Sequence, residues 1–266
     1  MTSMTTPKGT ALVTGASSGI GAVYADRLSR RGYDLILVAR DGKRLDSVAT
    51  RVTATTGRAV EVFPVDLTVK SDLQRVERIL QTDNRITLLL NNAGIGATQP
   101  LIDSDVETLD NMIQLNVTAL TRLARAVAPA FVSRGGGAII NIASVVALAP
   151  EVLNGTYAGT KAFVLTLSQA LNHELGPQGV QIQAVLPGAT STGFWSVAGV
   201  PVSQLPSEIV MSAEEMVDAA LVGFDRKELV TIPSLPEASD WDAFEAARRV
   251  MVPNLSRSTA AARYKS

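Results

Sequence analysis

Three side chains, Ser144, Tyr157 and Lys161, have the types and the spacing needed to move a proton. Tyr157 and Lys161 are four residues apart in a stretch with helical character, so both fall on one helix face with Cβ atoms roughly 5–6 Å apart. A free tyrosine is a poor base because its pKa is about 10, but a neighbouring cation can lower such a pKa by roughly 1–3 pH units. Alone, the two residues favour an ordinary aromatic–lysine helix pair. Ser144, thirteen residues earlier at a predicted strand end, favours a catalytic one.

A glycine-rich stretch, TGASSGIG (14–21), lies near the start of the chain. Its spacing, with Gly15, Gly19 and Gly21 as G-x-x-x-G-x-G, differs from the common G-x-G-x-x-G fingerprint. Glycine in an element interior costs roughly 0.5–1 kcal/mol relative to alanine, so such a cluster indicates a tight turn or a close approach. An isolated match fits a turn without a ligand as well as a pyrophosphate site. Its place between a strand and a helix, where backbone N–H groups lack partners, favours a dinucleotide.

The elements that must position these residues alternate between strand and helix. Short apolar runs predict seven buried strands, at 10–14, 34–39, 59–65, 86–90, 137–143, 180–186 and 229–233. Stretches with helical spacing lie between them, such as 22–32, 45–55 and 109–132, and SAEE (212–215) has the spacing of a capping box. This alternation implies right-handed crossovers. We therefore predict an α/β fold, a single-domain doubly wound (Rossmann-type) parallel seven-stranded sheet with helices on both faces.

The composition excludes several classes of function. Hydrophobic residues make up 46% of the 266 residues, charged residues make up 18%, and the net charge is −1, which argues against a nucleic-acid surface. The absence of cysteine excludes disulfides and thiolate chemistry. No cluster of metal ligands stands out, so we expect no metal. The polar first ten residues and the lack of a long apolar run predict a cytoplasmic protein with no membrane span.

Polar and small residues follow the predicted strands on one side of the sheet. Asp66 and Leu67 come after the third strand, NNAG (91–94) comes after the fourth, and Ser144 comes after the fifth. Open α/β sheets bind ligands at the carboxyl ends of their strands, so these positions mark one ligand site.

The order TGASSGIG, NNAG, Asn116, Ser144, Y-x-x-x-K and PGATST (187–192) resembles the short, single-domain branch of the short-chain dehydrogenase/reductase family. The resemblance covers roughly residues 9–233. Any one of these motifs is weak, whereas six in this order are specific. Two positions depart from the family pattern, since Thr160 stands where serine is more usual and Gln183 stands where asparagine is frequent. Neither departure changes the expected chemistry.

The resemblance implies a role for each candidate catalytic residue. Tyr157 would be the general acid/base, Lys161 would tune it and hold the nicotinamide ribose, and Ser144 would hydrogen-bond the substrate oxygen. Asn116 would support a water-linked proton relay. Hydride transfer to a carbonyl carbon requires a proton for the carbonyl oxygen, and a general acid such as Tyr157 would supply it.

The resemblance also implies a nicotinamide cofactor. Asp66 would hold the adenine amino group, Asn92 would lie along the cofactor, and Thr192 would bind the carboxamide end. The expected cofactor-binding residues are Gly15, Ser17, Ser18, Gly19, Ile20, Gly21, Arg40, Asp66, Leu67, Asn92, Ala93, Gly94, Tyr157, Lys161, Pro187, Gly188 and Thr192.

Arg40 decides which nicotinamide cofactor is expected. An acidic residue at the end of the second strand would accept the ribose 2′-hydroxyl of NAD, but Ala39 occupies that position and Arg40 follows it. A guanidinium can pair with the 2′-phosphate of NADP in a fork geometry. Arg40 could instead be a solvated residue paired with Asp41. We predict NADP, with NAD as the less favoured alternative.

Three other features are weaker. The only histidine, His173, is expected at the surface. Phe194 and Trp195 form either an apolar lid over the substrate or part of the core, and we favour the lid. Residues 239–257 predict an amphipathic helix within an extension, 234–266, which could cap the pocket or join a subunit contact.

The sequence therefore predicts an NADP-dependent oxidoreductase that interconverts a carbonyl and an alcohol on a small to medium, fairly apolar substrate. The first alternative is a sensor or regulatory protein that binds a nucleotide on this fold without turnover. The second keeps the cofactor but performs isomerisation or dehydration. The family resemblance implies a homodimer or homotetramer, and we expect no nucleic-acid or membrane partner.

Overall fold

The computed structural model describes residues 8–265, and its centre is a parallel sheet of seven strands. The strand order is β3-β2-β1-β4-β5-β6-β9. The strands of this sheet are β1 (Thr10–Thr14), β2 (Asp34–Ala39), β3 (Val60–Pro64), β4 (Ile86–Asn91), β5 (Gly137–Ile142), β6 (Val180–Val185) and β9 (Val230–Thr231). A separate two-stranded sheet pairs β7 (Thr190–Ser191) with β8 (Met211–Ser212). The predicted sheet is confirmed, and strand order reverses between β1 and β4, where doubly wound folds bind ligands.

Helices connect the strands. They are α1 (Gly19–Arg30), α2 (Gly42–Thr56), α3 (Lys70–Thr82), α4 (Val106–Ile113), α5 (Leu120–Ser133), α6 (Gly155–Leu175), α7 (Phe194–Ala198), α8 (Ala213–Asp225) and α9 (Ala238–Met251). The stretch predicted as one helix at 109–132 is longer and is interrupted by a π-helical turn, Gln114–Ala119, between α4 and α5. Such turns often accompany functional residues.

The central strands are buried on both faces, because helices cover the sheet on both sides and successive side chains point to opposite faces. Leu12, Ile36 and Leu89 are neighbours in register and face a core formed with α3 and α5. Val13 and Leu37 face the opposite core, formed with α1, α2 and α8. A substitution such as leucine to alanine at these positions would remove about 2–5 kcal/mol of stability.

The chain divides into two compact units, one that ends at Pro233 and one that begins at Ser234. The first contains the seven-stranded sheet. The second contains α9, in which the rings of Trp241 and Phe244 stack at 5.4 Å. The predicted amphipathic helix therefore spans Ala238–Met251 and is followed by a short 3-10 turn.

Candidate active site

The glycine loop between β1 and α1 leaves no room for side chains. Gly15 and Gly19 have φ values of +66° and +52°, which L-residues other than glycine rarely adopt. A Cβ on Gly15 would lie 2.7 Å from Asn92 Nδ2, and one on Gly21 would lie 2.6 Å from the same atom. The loop is therefore packed directly against the segment after β4.

Thr14 and Asn92 fasten these two segments together. The Thr14 hydroxyl accepts from the backbone N–H groups of Asn92 and Ala93 at 2.9 and 3.0 Å and donates to the Leu90 carbonyl. Asn92 Nδ2 donates to the carbonyls of Thr14 and Gly15 at 2.9 and 3.2 Å. Asn92 of NNAG thus fixes the conformation of the glycine loop, a structural role that the sequence did not predict.

The start of α1 can receive an anion. No side chain caps this helix at Ser18, so its first-turn N–H groups are available to a ligand. A cleft of about 580 Å³ opens beside Ser17, Ser18, Gly19 and Thr192 and also borders Arg27. The lack of space for a Cβ and the uncapped start of the helix fit a pyrophosphate. The cleft continues along α1 past Asp26 and Arg30, and neither Gly15 nor Tyr157 lines it.

Tyr157 and Lys161 lie in the first two turns of α6 and are buried. Each side chain belongs to a residue that is 6% exposed, and Lys161 Nζ lies 5.7 Å from the centre of the Tyr157 ring. Lys161 Nζ donates to the carbonyl of Ile142, the last residue of β5, at 2.9 Å. The predicted pairing of these two residues on one helix face is what the structure shows.

Ser144 lies beside Tyr157, two residues after the end of β5 at Ile142. Its hydroxyl caps a 3-10 turn by accepting from Val146 N–H at 3.4 Å and donates to the Pro187 carbonyl at 3.4 Å. A hydrogen bond between Ser144 and the Tyr157 hydroxyl lowers the pKa of Tyr157, but the larger effect of burial raises that pKa to about 12. Serine, tyrosine and lysine therefore share one buried site.

Burial reverses the direction expected for the tyrosine. A nearby cation would favour the phenolate, yet desolvation dominates and keeps the hydroxyl protonated. The same desolvation lowers the pKa of Lys161 to about 8. In this arrangement the Tyr157 hydroxyl keeps its proton at neutral pH, and Lys161 loses its charge only in mildly alkaline solution.

Asn116 is buried in the π-helical turn and holds the segment after NNAG. Its Oδ1 accepts from Ile95 N–H at 3.0 Å, and its Nδ2 donates to the Ile95 carbonyl at 2.8 Å and to Thr160 Oγ1 at 3.1 Å. A Cβ on Gly94 would lie 3.0 Å from Asn116 Oδ1 and 3.5 Å from Lys161 Nζ. Gly94 therefore lies between Asn116 and Lys161, and its lack of a side chain is what allows this close packing.

The two departures from the family pattern also have polar partners. The Thr160 hydroxyl donates to the Tyr157 carbonyl at 2.8 Å. Gln183, buried in β6, donates from Nε2 to the Ala220 carbonyl and to Thr231 Oγ1 at 2.8 and 2.9 Å. Thr160 connects Asn116 with α6, whereas Gln183 joins β6 to its neighbours away from the chemistry.

Arg40 and Asp66 stand at the other end of the glycine loop. Arg40 has a side chain that is 74% exposed, and its Nη1 lies 3.9 Å from Asp66 Oδ2. Asp66 Oδ1 accepts from the N–H and hydroxyl of Thr68, so only its other oxygen faces outward. The alternative partner, Asp41, pairs with Arg44 and caps α2. Arg40 thus makes one long ion pair, with Asp66, and its exposed guanidinium has room for a second anionic partner.

The remaining residues predicted to bind the cofactor lie in α1, after β3 and in the PGATST turn after β6. Leu67 is buried, and Ile20 packs against the core beneath α1. The Pro187 carbonyl accepts from Val145 N–H, which fixes the PGATST turn at the end of β6. Gly188 accepts from the Thr190 hydroxyl, and a Cβ on Gly19 would lie 3.2 Å from Thr192 Cβ.

Phe194 covers Tyr157 from the segment after β7. The two rings are 5.7 Å apart, and Trp195 meets Phe194 edge to face at 5.6 Å. Phe194 lies over Gly96, where a Cβ would come within 2.9 Å of its Cε2. Phe194 thus belongs to the tyrosine's surroundings, and Trp195 is core, with its Nε1 bound to the Thr190 carbonyl.

The surroundings of Tyr157 are apolar. They comprise Met112, Val146 and Ala158, together with Ile95, Ala97, Leu109, Leu153 and Phe194. Such a wall excludes water and fits an apolar substituent next to the hydroxyl. Sequence reasoning missed Gly96 and Asn154, although an asparagine just before a helix is a recognisable N-cap signal.

Two further observations concern what the described residues contain. Between residues 8 and 265, no helix is long and apolar enough to cross a membrane. Over the same range, no group of three histidine, aspartate or glutamate side chains is placed to hold a metal ion. His173 is exposed in the last turn of α6.

Comparisons with known proteins agree with this geometry. The family model described as short chain dehydrogenase matches residues 9–199. A solved short-chain dehydrogenase from Sphingobium yanoikuyae, in complex with NADPH, is 54% identical and covers 97% of this chain and 100% of its own, with a TM-score of 0.94. A bulky-bulky ketone specific alcohol dehydrogenase from Comamonas testosteroni is 48% identical and covers 98% of this chain and 100% of its own, with a TM-score of 0.91.

A curated sequence relative is more distant. The very-long-chain 3-oxoacyl-CoA reductase of Pyrenophora tritici-repentis is 33% identical over 222 residues, which are 81% of this chain and 63% of that protein. The family match, the seven-stranded parallel sheet and these relatives lead to one conclusion. The chain belongs to the short-chain dehydrogenase family and is an oxidoreductase of that type.

Proposed function

We propose that this protein is an NADP-dependent oxidoreductase that interconverts a ketone and an alcohol on a small to medium, apolar substrate. One observation carries the proposal: Ser144, Tyr157 and Lys161 meet in a buried apolar site beside the glycine loop. A protein that only sensed a nucleotide would not need a protonated tyrosine next to a buried lysine. Two similar proteins support the same cofactor and substrate class: a short-chain dehydrogenase solved in complex with NADPH, and a bulky-bulky ketone specific alcohol dehydrogenase.

The cofactor would be held mainly by backbone. The residues assigned to it are Gly15, Ser17, Ser18, Gly19, Ile20, Gly21, Arg40, Asp66, Leu67, Asn92, Ala93, Gly94, Tyr157, Lys161, Pro187, Gly188 and Thr192. The free N–H groups at the start of α1 would bind the pyrophosphate. Arg40 would pair with the 2′-phosphate, for which its exposed guanidinium is available. Bound NADPH supplies the hydride that, with one proton, converts the ketone to the alcohol.

Each side chain of the site then has a task. The Tyr157 hydroxyl donates its proton to the substrate oxygen, and the Ser144 hydroxyl binds that oxygen. Lys161 stabilises the phenolate that remains, because an ammonium nearby favours the charged form. Asn116 holds Ile95 and supports the path by which water returns the proton. Phe194 and its apolar neighbours hold the substituents and exclude water.

Replacement of Tyr157 by phenylalanine tests the proposal. Tyr157→Phe removes only the hydroxyl, so NADPH binding should persist while kcat falls by about 10²- to 10⁴-fold, the range for loss of a general acid. A panel of ketones with NADPH and NADH, followed by nicotinamide absorbance, gives the rates, and fluorescence titration gives the Kd.

Tyr24→Phe is the matched control, because Tyr24 is fully buried in α1 and its hydroxyl has no partner among the described residues. Retained turnover in Tyr157→Phe would remove the tyrosine from its role. NADPH binding by the wild type without turnover of any ketone or alcohol would support the sensor instead. The assignment of one domain with 234–266 as an extension, and the homodimer or homotetramer, stay predictions from the family resemblance.

A further inference from the structure

Asn154, the residue before α6, uses both ends of its side-chain amide. Its Oδ1 accepts from the backbone N–H groups of Thr156 and Tyr157 at 2.9 and 3.2 Å. Its Nδ2 donates to the Gln99 carbonyl at 2.5 Å and lies 3.3 Å from Ser104 Oγ. The Asn154 residue is 2% exposed, so its side chain depends on these partners to satisfy its polar atoms. The amide orientation follows from its partners, because the reverse placement would set donor against donor.

The carbonyl end of Asn154 acts on the tyrosine. Tyr157 is the third residue of α6, within the turn whose N–H groups have no partner inside the helix. An N-cap side chain that accepts from two of these groups defines where the helix begins and therefore the direction in which the tyrosine points. Loss of this acceptor would let the first turn fray at the residue that carries the proton.

The amide end of Asn154 acts on the segment that packs against Phe194, beside Tyr157. Gln99 and Ser104 belong to the stretch 96–104 after β4, which we call the substrate-side segment. The same segment contacts Phe194 through Gly96, and the Thr98 hydroxyl donates to the Ala198 carbonyl at 2.7 Å. Asn154 thus holds one end of the segment, and α7 holds the other.

We propose that Asn154 is a positioning residue that holds the first turn of α6 with its Oδ1 and the substrate-side segment with its Nδ2. The proposal rests on the proposed function for its meaning in catalysis. It predicts that two kinetic effects, one on the proton transfer and one on substrate binding, originate from two atoms of a single side chain. Asn154 need not touch the substrate for either effect.

Two substitutions separate the atoms. Asn154→Ser keeps an oxygen that can cap the helix but is too short to reach Gln99, whereas Asn154→Ala loses both functions. We expect Asn154→Ser to keep kcat within about threefold and to raise the ketone KM by about two- to tenfold, the effect of one lost hydrogen bond. Asn154→Ala should raise KM equally and also lower kcat by about 10- to 100-fold, because misplacing a reacting group is costly.

Hydrogen exchange of the protein alone provides a readout that does not depend on turnover. In Asn154→Ser, amides of 97–105 should exchange faster while those of Thr156 and Tyr157 keep their protection. In Asn154→Ala, both groups should exchange faster. Ser212→Ala is the matched control, since Ser212 caps α8 through the N–H of Glu215 and its loss should leave both regions unchanged.

The outcomes separate the two proposals. If the wild type reduces no ketone, the proposed function fails, and the exchange pattern still tests the two contacts of Asn154. If the wild type is active and both Asn154 variants retain wild-type kcat and KM per folded molecule, the positioning role is wrong. Equal loss of kcat in Asn154→Ser and Asn154→Ala would also overturn it, because the serine cap should rescue proton transfer.

Discussion

Around Gly15 and Gly21 the chain has no space for a Cβ and is held by hydrogen bonds from two polar side chains, whereas around Phe194 it is held by contacts between aromatic rings and leaves apolar groups exposed. Thr14 and Asn92 make five hydrogen bonds that join the end of β1 and the glycine loop to the end of β4 and the residues after it. On the other side, Leu101, Ile102 and neighbouring loops expose apolar side chains near the substrate-side segment; the exposed ones include Val152, Val197 and Ile209.

The proposed site therefore has two halves: a nucleotide half around the glycine loop and a substrate half around Phe194. The two halves place different demands on the sequence. A nucleotide is the same for every reaction, so its half can be built from main chain that admits few sequences. Substrates differ, and their half is built from side chains whose exchange changes the pocket without disturbing the sheet. The fold supports many chemistries because these requirements lie on separate segments.

Gly21→Ala should break the nucleotide half most severely. The added Cβ would meet Asn92 Nδ2 and the Gly15 carbonyl, so the loop must shift. We expect NADPH affinity to fall by about 10- to 100-fold, which corresponds to 1–3 kcal/mol for an overpacked site. Fluorescence titration measures this Kd. Gly136→Ala, where a Cβ would meet nothing within 4 Å, is the control; similar losses in both would contradict the steric account.

The pH dependence of turnover tests Lys161, which is assigned to both the nucleotide half and the catalytic half of the proposed site. Because burial raises the pKa of Tyr157 to about 12 and lowers that of Lys161 to about 8, the hydroxyl stays protonated while the lysine is charged below pH 8 and neutral above it. Ketone reduction should therefore show a level kcat/KM below about pH 8 and a fall of up to tenfold per pH unit above it.

Alcohol oxidation should rise with pH instead, since it needs the phenolate. Lys161→Arg should remove the decline in ketone reduction near pH 8, because a guanidinium keeps its charge there. A decline at the same pH in that variant would assign the titration to another group.

Arg40→Ala sharpens the comparison within the nucleotide half, because it removes a side-chain contact rather than a backbone one. The NADPH Kd should rise about tenfold, as for a lost charge-assisted hydrogen bond, and the NADH Kd should stay unchanged. Equal effects on both cofactors would mean that Arg40 does not contact the 2′-phosphate. Arg51→Ala is the control, because Arg51 is an exposed arginine of α2 that is not assigned to the cofactor; this variant is not expected to discriminate between NADPH and NADH.

Phe194→Ala should give the smallest and most selective effect. Removing the ring beside Tyr157 and over Gly96 enlarges the apolar wall, so KM for small ketones should rise about three- to tenfold while that for larger ketones changes less or falls. NADPH affinity is the internal control. An equal change for all ketones would indicate that Phe194 supports the fold and does not choose the substrate.

Much of the fold could be predicted from the sequence because its determinants are local. Strands such as β1 and β2 coincide with their predicted ranges, since a short apolar run between turn residues has few other structures. The sequence also predicts the glycine loop and the candidates Ser144, Tyr157 and Lys161. Their signals are the spacing of glycines, the ends of apolar runs and a four-residue spacing, which are all local. The short strands β7 and β8 were not predicted, because two-residue pairings depend on where the chain returns.

By itself, therefore, the sequence determined the parallel sheet, the place of the nucleotide loop and the pairing of tyrosine with lysine, because each follows from spacing along the chain. Only the tertiary structure decided that burial outweighs the cation in setting the pKa of Tyr157, and that Asn154 joins Gln99 to the start of α6. Both depend on which distant segments surround a side chain. Desolvation and long-range hydrogen bonds arise only when those segments meet.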